Sequence, residues 1–512
     1  MRKTKWIRFF KKLHKWPAII IAFIAVLFAA SGVVMNHRGV FSGVAISRKL
    51  LPANYTYSNW DQAAVRGSLP LNGDMLIYGN IGIWKCDEDF QNFSDFNQEF
   101  PKGIDNRKIY ALQEFRNQLF AGTHLGLYKR FVTAGTWEKV QLPVKNDRIA
   151  DIGLKNDTLL ILTRDYLFTS VDGEMFNKIQ LPEPVNYERK AGLFETFWQL
   201  HSGELFGLTG KLIVDLLGIV TIVLSVTGLL HFFFPKIIKR RKKKEKQVQS
   251  MVAIKKTNLH WHNVVGYVFA LFLLINTFAG IHLRPPLLIA IASKEVGIIP
   301  GTHLDSPNPW LDKLRRVLWD ENNQRYIFST AEGFYFADEA LKTELRPAAY
   351  QPPVSVMGCN VLEQLSATKL LVGSFSGMFV WDMYSGEVRD YFSRLPYQAP
   401  QGMSRPIGNQ MVAGMIVAKD KAWWFDYNMG AQGMTSVDRR MSSLKFPEMP
   451  GEIRFASPMS LWNVSQEIHT GRIFENILGP FYILFVPLSG ICLLIVLISG
   501  VLIWWWVYRK KG

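Results

Sequence analysis

Cysteine is scarce in this chain: 512 residues contain three, Cys86, Cys359 and Cys492. No CxxC or CxxCH pattern occurs, which excludes covalently attached c-type haem and thiolate metal clusters. Cys492 lies in an apolar run and reads as a small hydrophobe. Cys86 and Cys359 fall in two separate polar regions, where a disulfide is chemically permitted. No glycine-rich dinucleotide fingerprint follows a strand, so the chain does not bind NADH in the usual way. Charge is missing from four long stretches. Pro17–Asn36, Asn263–Ile281 and Ile477–Tyr508 have none, and Leu212–Phe234 has Asp215 alone. Each approaches or exceeds the roughly 20 apolar residues that cross a bilayer. The first lacks a small-residue cleavage site and runs into Asn36-His37-Arg38, which argues against a cleaved signal peptide.

Basic residues are abundant, and their excess over acidic ones lies at the ends of these stretches. Residues 2–15, the segment Lys236–Lys256 and the tail Arg509–Lys511 together outweigh the net charge of +17, leaving the remainder slightly acidic. That distribution is a topology signal and not a nucleic-acid surface. It places both termini and the second connection in the cytoplasm and the two large connections outside. The expected order is a basic N-terminus (1–16), a first span (17–37) and an external β region (38–200). A second span (207–234), a basic cytoplasmic loop (235–258) and a third span (259–284) follow. A second external β region (285–468), a fourth span (477–508) and a tail (509–512) complete the chain. Pro480 and Pro487 predict a kinked or interfacial start to the last span, and Trp504, Trp505 and Trp506 an interfacial anchor.

The chain repeats itself. Leu13-His14-Lys15-Trp16 before the first span corresponds to Leu259-His260-Trp261-His262 before the third, aligning His14 with His262. Leu200-His201-Ser202-Gly203 before the second corresponds to Ile468-His469-Thr470-Gly471 before the fourth. Ser31-Gly32, Ala279-Gly280, Thr227-Gly228 and Ser499-Gly500 recur inside the spans, as small residues do where helices approach closely. Two copies of a helix–region–helix unit are therefore expected, with sites at their interface. Both external regions contain alternating runs ending in Gly-aromatic signatures, such as Leu119–Tyr128 and Leu371–Trp381, spaced like propeller blades. The fold class expected is four transmembrane helices, two-fold repeated, with an external all-β domain. A propeller completed by both halves is preferred to two separate β domains.

Eight of the ten histidines lie in or beside the four spans: His14, His37, His201, His231, His260, His262, His282 and His469. Imidazole is costly in hydrocarbon, so such a cluster marks a functional site. Helical rise of about 1.5 Å per residue sorts them into two layers. His14, His231, His260 and His262 form a cytoplasmic layer, and His37, His201, His282 and His469 an outer one. Each layer can supply two neutral imidazoles to opposite faces of one haem. Snorkelling interfacial histidines are the plainer alternative for each residue alone. A zinc or copper site would want convergent carboxylates, which are scarce here. Arg284 is suited to a haem propionate or to the water boundary. His124 and His303 read as surface or turn residues.

On Leu-His14-Lys-Trp, Leu-His260-Trp-His262-Asn-Val-Val-Gly266, His201-Ser-Gly, His469-Thr-Gly and the small-Gly pairs, the chain resembles the PepSY-associated transmembrane family. That family includes bacterial inner-membrane ferric-siderophore reductases. The likeness covers the four spans and their flanks; the external regions look propeller-like where PepSY modules are usual. The resemblance implies two haem b groups in the bacterial inner membrane. It favours His14, His262, His201 and His469 as iron ligands, with His37, His231 and His282 competing for axial places. It also implies reduction of ferric chelates outside the cytoplasm, fed by a quinol or a separate reductase. A ligand-binding sensor or scaffold, and a transporter of chelate or metal, are the rival functions.

Overall fold

A computed structural model of the protein describes residues 2–133, 135–399, 407–418, 421–434 and 445–509. The basic tail residues Lys510 and Lys511 lie outside them. The chain forms two compact units. One comprises residues 1–41, 189–305 and 461–512, and the other residues 42–188 and 306–460.

Four helices of the first unit are long and apolar enough to cross a membrane: Thr4–Asn36, Glu204–Lys243, Gln249–Ile281 and Arg472–Tyr508. The first long helix, Arg2–Asn36, begins within the basic segment and passes through Pro17. The second, Gly207–Lys243, passes through Pro235. The third starts at Gln249. The basic connection is thus mostly helical, because Lys and Arg are good helix formers and extend the spans beyond their apolar cores. Proline inside such helices is tolerated where neighbouring groups satisfy the freed carbonyls. The fourth begins in short turns around Pro480 and becomes continuous over Tyr482–Ile503, ending in a π-helical turn at Trp504–Tyr508. Leu217, Val220 and Leu273 form a buried contact between the second and third helices.

Two short helices, Leu193–Ser202 and Leu461–His469, precede the second and fourth spans. Each ends in His-Ser/Thr-Gly with the glycine left-handed, Gly203 at φ 81° and Gly471 at φ 77°. A Cβ on Gly203 would lie 2.2 Å from Gly210 O, so only glycine closes this turn. The repeated motif is therefore a structural corner that sets each histidine at a helix end. Trp462 Nε1–H donates to Met35 O (3.1 Å), and Arg38 covers the Trp462 ring at 4.0 Å, fastening the second short helix to the first long one.

The second unit is all-β apart from short helical turns. Among the described residues six antiparallel sheets of three or four strands follow one another, three from each chain segment, beside a two-stranded pair of Ala45–Ile46 with Met459–Ser460. Their first strands are Gly67–Leu71, Ile109–Phe115, Ile149–Lys155, Leu314–Asp320, Cys359–Gln364 and Val412–Ala418. The first five have four strands and the sixth has three among the described residues. In all but the first sheet the register slips once near the start of the first strand. Tyr110, Ala150, Arg315, Asn360 and Ala413 are the extra residues. Such bulges twist a strand and re-aim its side chains.

Buried apolar clusters join neighbouring sheets. Leu76 and Leu119 share a cluster between the first and second sheets, Phe120 and Ile161 between the second and third, and Leu160 and Phe328 between the third and fourth. Phe334 and Val372 link the fourth to the fifth, Leu371 and Trp424 the fifth to the sixth, and Trp423 and Ile77 the sixth to the first. Cys86 and Cys359 belong to different clusters and are free thiols, so the permitted disulfide is not formed. Burial pushes the Cys86 thiol up to about 12.

Asp61 occupies the turn before the first sheet, where its carboxylate accepts from Ser58 N–H (3.0 Å). Burial outweighs that bond and the attraction of Arg48, and raises the carboxyl from 3.8 to about 6. The uncharged acid is the form the folded state prefers. Stability from this group is complete below about pH 4 and is lost as pH rises through 6. Asp61→Asn should flatten that part of the curve of melting temperature against pH measured between pH 4 and 7. An unchanged slope would show that Asp61 is not its source.

Candidate functional site

The membrane unit brings four of the eight histidines together as two pairs. The His14 and His262 rings lie 6.2 Å apart between centroids, and those of His201 and His469 5.9 Å apart. Every member of a pair is braced against a different helix from its own. His14 Nδ1–H donates to Val496 O (2.9 Å) on the fourth long helix, and His201 Nδ1–H to Asn276 O (2.9 Å) on the third. His469 Nδ1–H donates to Phe28 O (3.0 Å) on the first. A carbonyl only accepts, so in the neutral ring each of these Nδ1 atoms carries the proton. His262 Nδ1 faces Thr227 Oγ1 at 2.9 Å on the second helix. The Thr227 hydroxyl is 2.7 Å from Val223 O and gives its hydrogen there, so it too accepts from the imidazole. In all four rings Nε2 makes no hydrogen bond among the described residues, and its lone pair remains available to a metal.

The small-Gly pairs supply the other half of each contact. Gly500, Gly228, Gly280 and Gly32 face His14, His262, His201 and His469 respectively. A Cβ there would meet the histidine Cε1 at 3.1, 3.5, 2.6 and 3.3 Å. In three cases the accepting carbonyl belongs to the residue four before that glycine. Where the preceding residue has a hydroxyl, Ser31, Thr227 or Ser499, it donates back to its own helix at 2.6–2.7 Å. At the fourth, Ala279 has none, and Asn276 Nδ2 donates to His201 O (2.8 Å) in its place. Small residues were legible as helix-packing positions; their role as seats for imidazoles crosses between helices and carries no local signal.

The remaining candidates are placed differently. His231 lines the cavity that holds His14 and His262, and its Nδ1 is buried without a partner. His37 Nε2 contacts Asp215 Oδ2 at 2.6 Å, and Asn36 Nδ2 donates to Asp215 Oδ1 (3.0 Å), which occupies the nitrogen a metal would need. His282 Nδ1–H donates to Phe278 O (2.8 Å) within its own turn, and the ring packs on Phe197 and Phe278. His260 is exposed and lies against Trp261. Arg284 Nη2 donates to Thr470 O (2.7 Å) beside His469, while its Nε is buried with no partner. Among the described residues no three His, Cys, Asp or Glu side chains converge as a metal-ion site would require.

These residues can be tested against haem. Two imidazoles bound through Nε2 to one metal at about 2 Å each would set their ring centres roughly 6 Å apart. Both observed separations agree. The cavity around His14 and His262 has a volume of about 450 Å³, within the range of small-molecule sites. Gly228, Gly266 and Gly500 line it, and Lys11 and Lys15 add positive charge. The donor set fits, and the unpartnered Arg284 Nε offers a carboxylate-seeking group beside the second pair.

Four apolar helices with paired imidazoles between them, together with a large all-β unit, define a polytopic membrane protein. The chain belongs to the family described as the PepSY-associated TM region, matching it over residues 1–234 and 236–506. A search of curated proteins finds no match. Among solved structures the chain is similar to an extracellular domain assigned to a hybrid two component system of B. thetaiotaomicron (9% identity, TM-score 0.36, covering 72% of this chain and 32% of that one). It is also similar to the GH74 xyloglucanase of Xanthomonas campestris (12%, TM-score 0.35, 74% and 46%). This chain spans about a third of the length of the first. Likenesses this weak carry no argument.

Proposed function

We propose that this is a haem-b membrane electron-transfer protein that reduces ferric chelates, siderophores among them, on the outer side of the bacterial inner membrane. One observation carries the reading. Two facing imidazole pairs, their ring centres 6.2 and 5.9 Å apart, are braced through Nδ1 on neighbouring helices, each with Nε2 left without a hydrogen bond among the described residues. His14 with His262, and His201 with His469, would hold one haem each, non-covalently because no CxxCH is present. Haem held by two histidines supplies reversible one-electron chemistry. The chain's own work is to fix the tautomer and the plane of every ring, and the Nδ1 bonds raise the basicity of Nε2. The surrounding helices exclude water, and Arg284 and Lys11 supply positive charge for propionates. The six sheets, with apolar cores between successive members and between last and first, are read as a propeller presented to the chelate. Fe(II) is a weaker partner than Fe(III) for hard oxygen donors, so reduction favours release. A quinol or a separate reductase supplies the electrons.

The test is the visible spectrum of detergent-purified protein from haem-replete cells. A Soret band that shifts on dithionite addition, at about two haems per chain, is the expected result. Colourless protein would sink the reading and favour a sensor or transporter.

A further inference from the structure

A second site lies wholly within the all-β unit, among residues at or near the starts of the first strands of several sheets. Arg66 precedes the first sheet. Its N–H donates to Tyr78 O (2.7 Å), and its carbonyl accepts from Met415 N–H (3.3 Å) in the sixth. Arg66 is half-buried; its guanidinium has Tyr57, Tyr78, Tyr110 and Tyr427 in its neighbourhood and lies 4.9 Å from the Tyr110 ring centroid. It makes one side-chain hydrogen bond among the described residues, from Nη1 to Asn360 Oδ1 (3.2 Å). Nε is buried with no partner.

Arg316 on the fourth sheet reaches the same asparagine, its Nη1 donating to Asn360 O (3.0 Å), but it differs in one respect. Its Nε is 2.8 Å from Asp151 Oδ2, so it has a counter-ion. Arg66 has none: among the described residues no carboxylate pairs with it. A largely buried cation without an anion is costly. The one ring face it meets, that of Tyr110, offsets only part of that cost. The unused edge, Nε with Nη2, is the side-on fork that takes a carboxylate or phosphate through two parallel hydrogen bonds. Two of the nearby residues, Tyr110 and Asn360, are bulge residues, whose side chains the bulge re-aims out of the ladder register.

We propose that Arg66, with Asn360 and the surrounding tyrosines, forms a binding site for a small oxyanion, a carboxylate or a phosphate. The site stands on the β unit alone and holds whether or not the helical unit carries haem.

Calorimetric titration of the detergent-purified full chain with citrate, and separately with inorganic phosphate, at constant ionic strength, tests it. Saturable heat with at least one probe is expected, and the probe that binds identifies the source as carboxylate or phosphate. Arg66→Met, which removes the charge at similar volume, should weaken that binding at least about thirty-fold while melting no lower than wild type in anion-free buffer. Arg66→Lys keeps the positive charge and leaves Asn360 on Val412 O, but removes the Nε–Nη2 fork. It should also weaken the probe, which keeps the question decidable if the first variant folds poorly. The proposal is overturned if neither probe gives saturable heat, or if either folded variant binds as wild type does.

Discussion

On the proposed two-haem reading, alanine at His201 or at His469 should remove one haem and leave the other, about halving the Soret absorbance per chain. The two changes should look alike, because the rings face each other at 5.9 Å and either loss would leave one imidazole to hold the iron. His14→Ala and His262→Ala should do the same at the other pair, and a double variant taking one histidine from each pair should be colourless. His260→Ala is the control, since that ring is exposed and lies on Trp261. His37→Ala is a sharper one. Its Nε2 is committed to Asp215, so haem content should stay at two even though a buried polar contact is lost. Haem-to-protein ratios from pyridine haemochrome spectra give the result directly. If His37→Ala empties a site and His201→Ala does not, the ligand assignment is wrong.

A methyl group at Gly280 is the second change with a large expected effect. The added Cβ would lie 2.6 Å from His201 Cε1 and 2.9 Å from Nδ1, closer than carbon atoms approach. The imidazole cannot simply rotate away, because Nδ1 is tied to Asn276 O on the same helix as the intruding atom. Loosening a support of this kind typically costs 10–100-fold in metal affinity. Gly280→Ala should therefore lose haem from the His201/His469 pair during purification. Gly228→Ala should retain it, since its Cβ would sit 3.5 Å from His262 at ordinary contact distance. Gly500→Ala at 3.1 Å and Gly32→Ala at 3.3 Å fall between. Equal retention in all four would mean that the glycines serve helix packing and not the histidines. Melting temperatures of the same variants separate haem loss from unfolding.

Much of this arrangement was visible in the residues themselves. Apolar length marked the four spans, and the unusual position of His14, His201, His262 and His469 marked the interior. The limits of the helices were less visible. Pro17 and Pro235 read as boundaries by the rules of water-soluble helices, yet both helices pass through them. Which histidine faces which helix was not readable either. Thr227-Gly228 looks the same whether it packs against a leucine or an imidazole, and the distinction rests on an interhelical hydrogen bond. Arg66 shows the limit most clearly. Nothing in Ala64-Val65-Arg66-Gly67 separates a half-buried, counter-ion-free guanidinium from a solvated one; that depends on strands nearly three hundred residues later. Gly203 and Gly471 were legible as repeated motifs, but their backbone angles supply the reason for the repetition.

Each imidazole and the gap it occupies belong to different segments of the chain. A descendant that abandons His201 is released from the need for a bare backbone at position 280, whereas a side chain at 280 is barred while the imidazole stays. Across a lineage the histidine should therefore change before its glycine or with it, and the coupling should be tightest at 201 and 280 and loosest at 262 and 228.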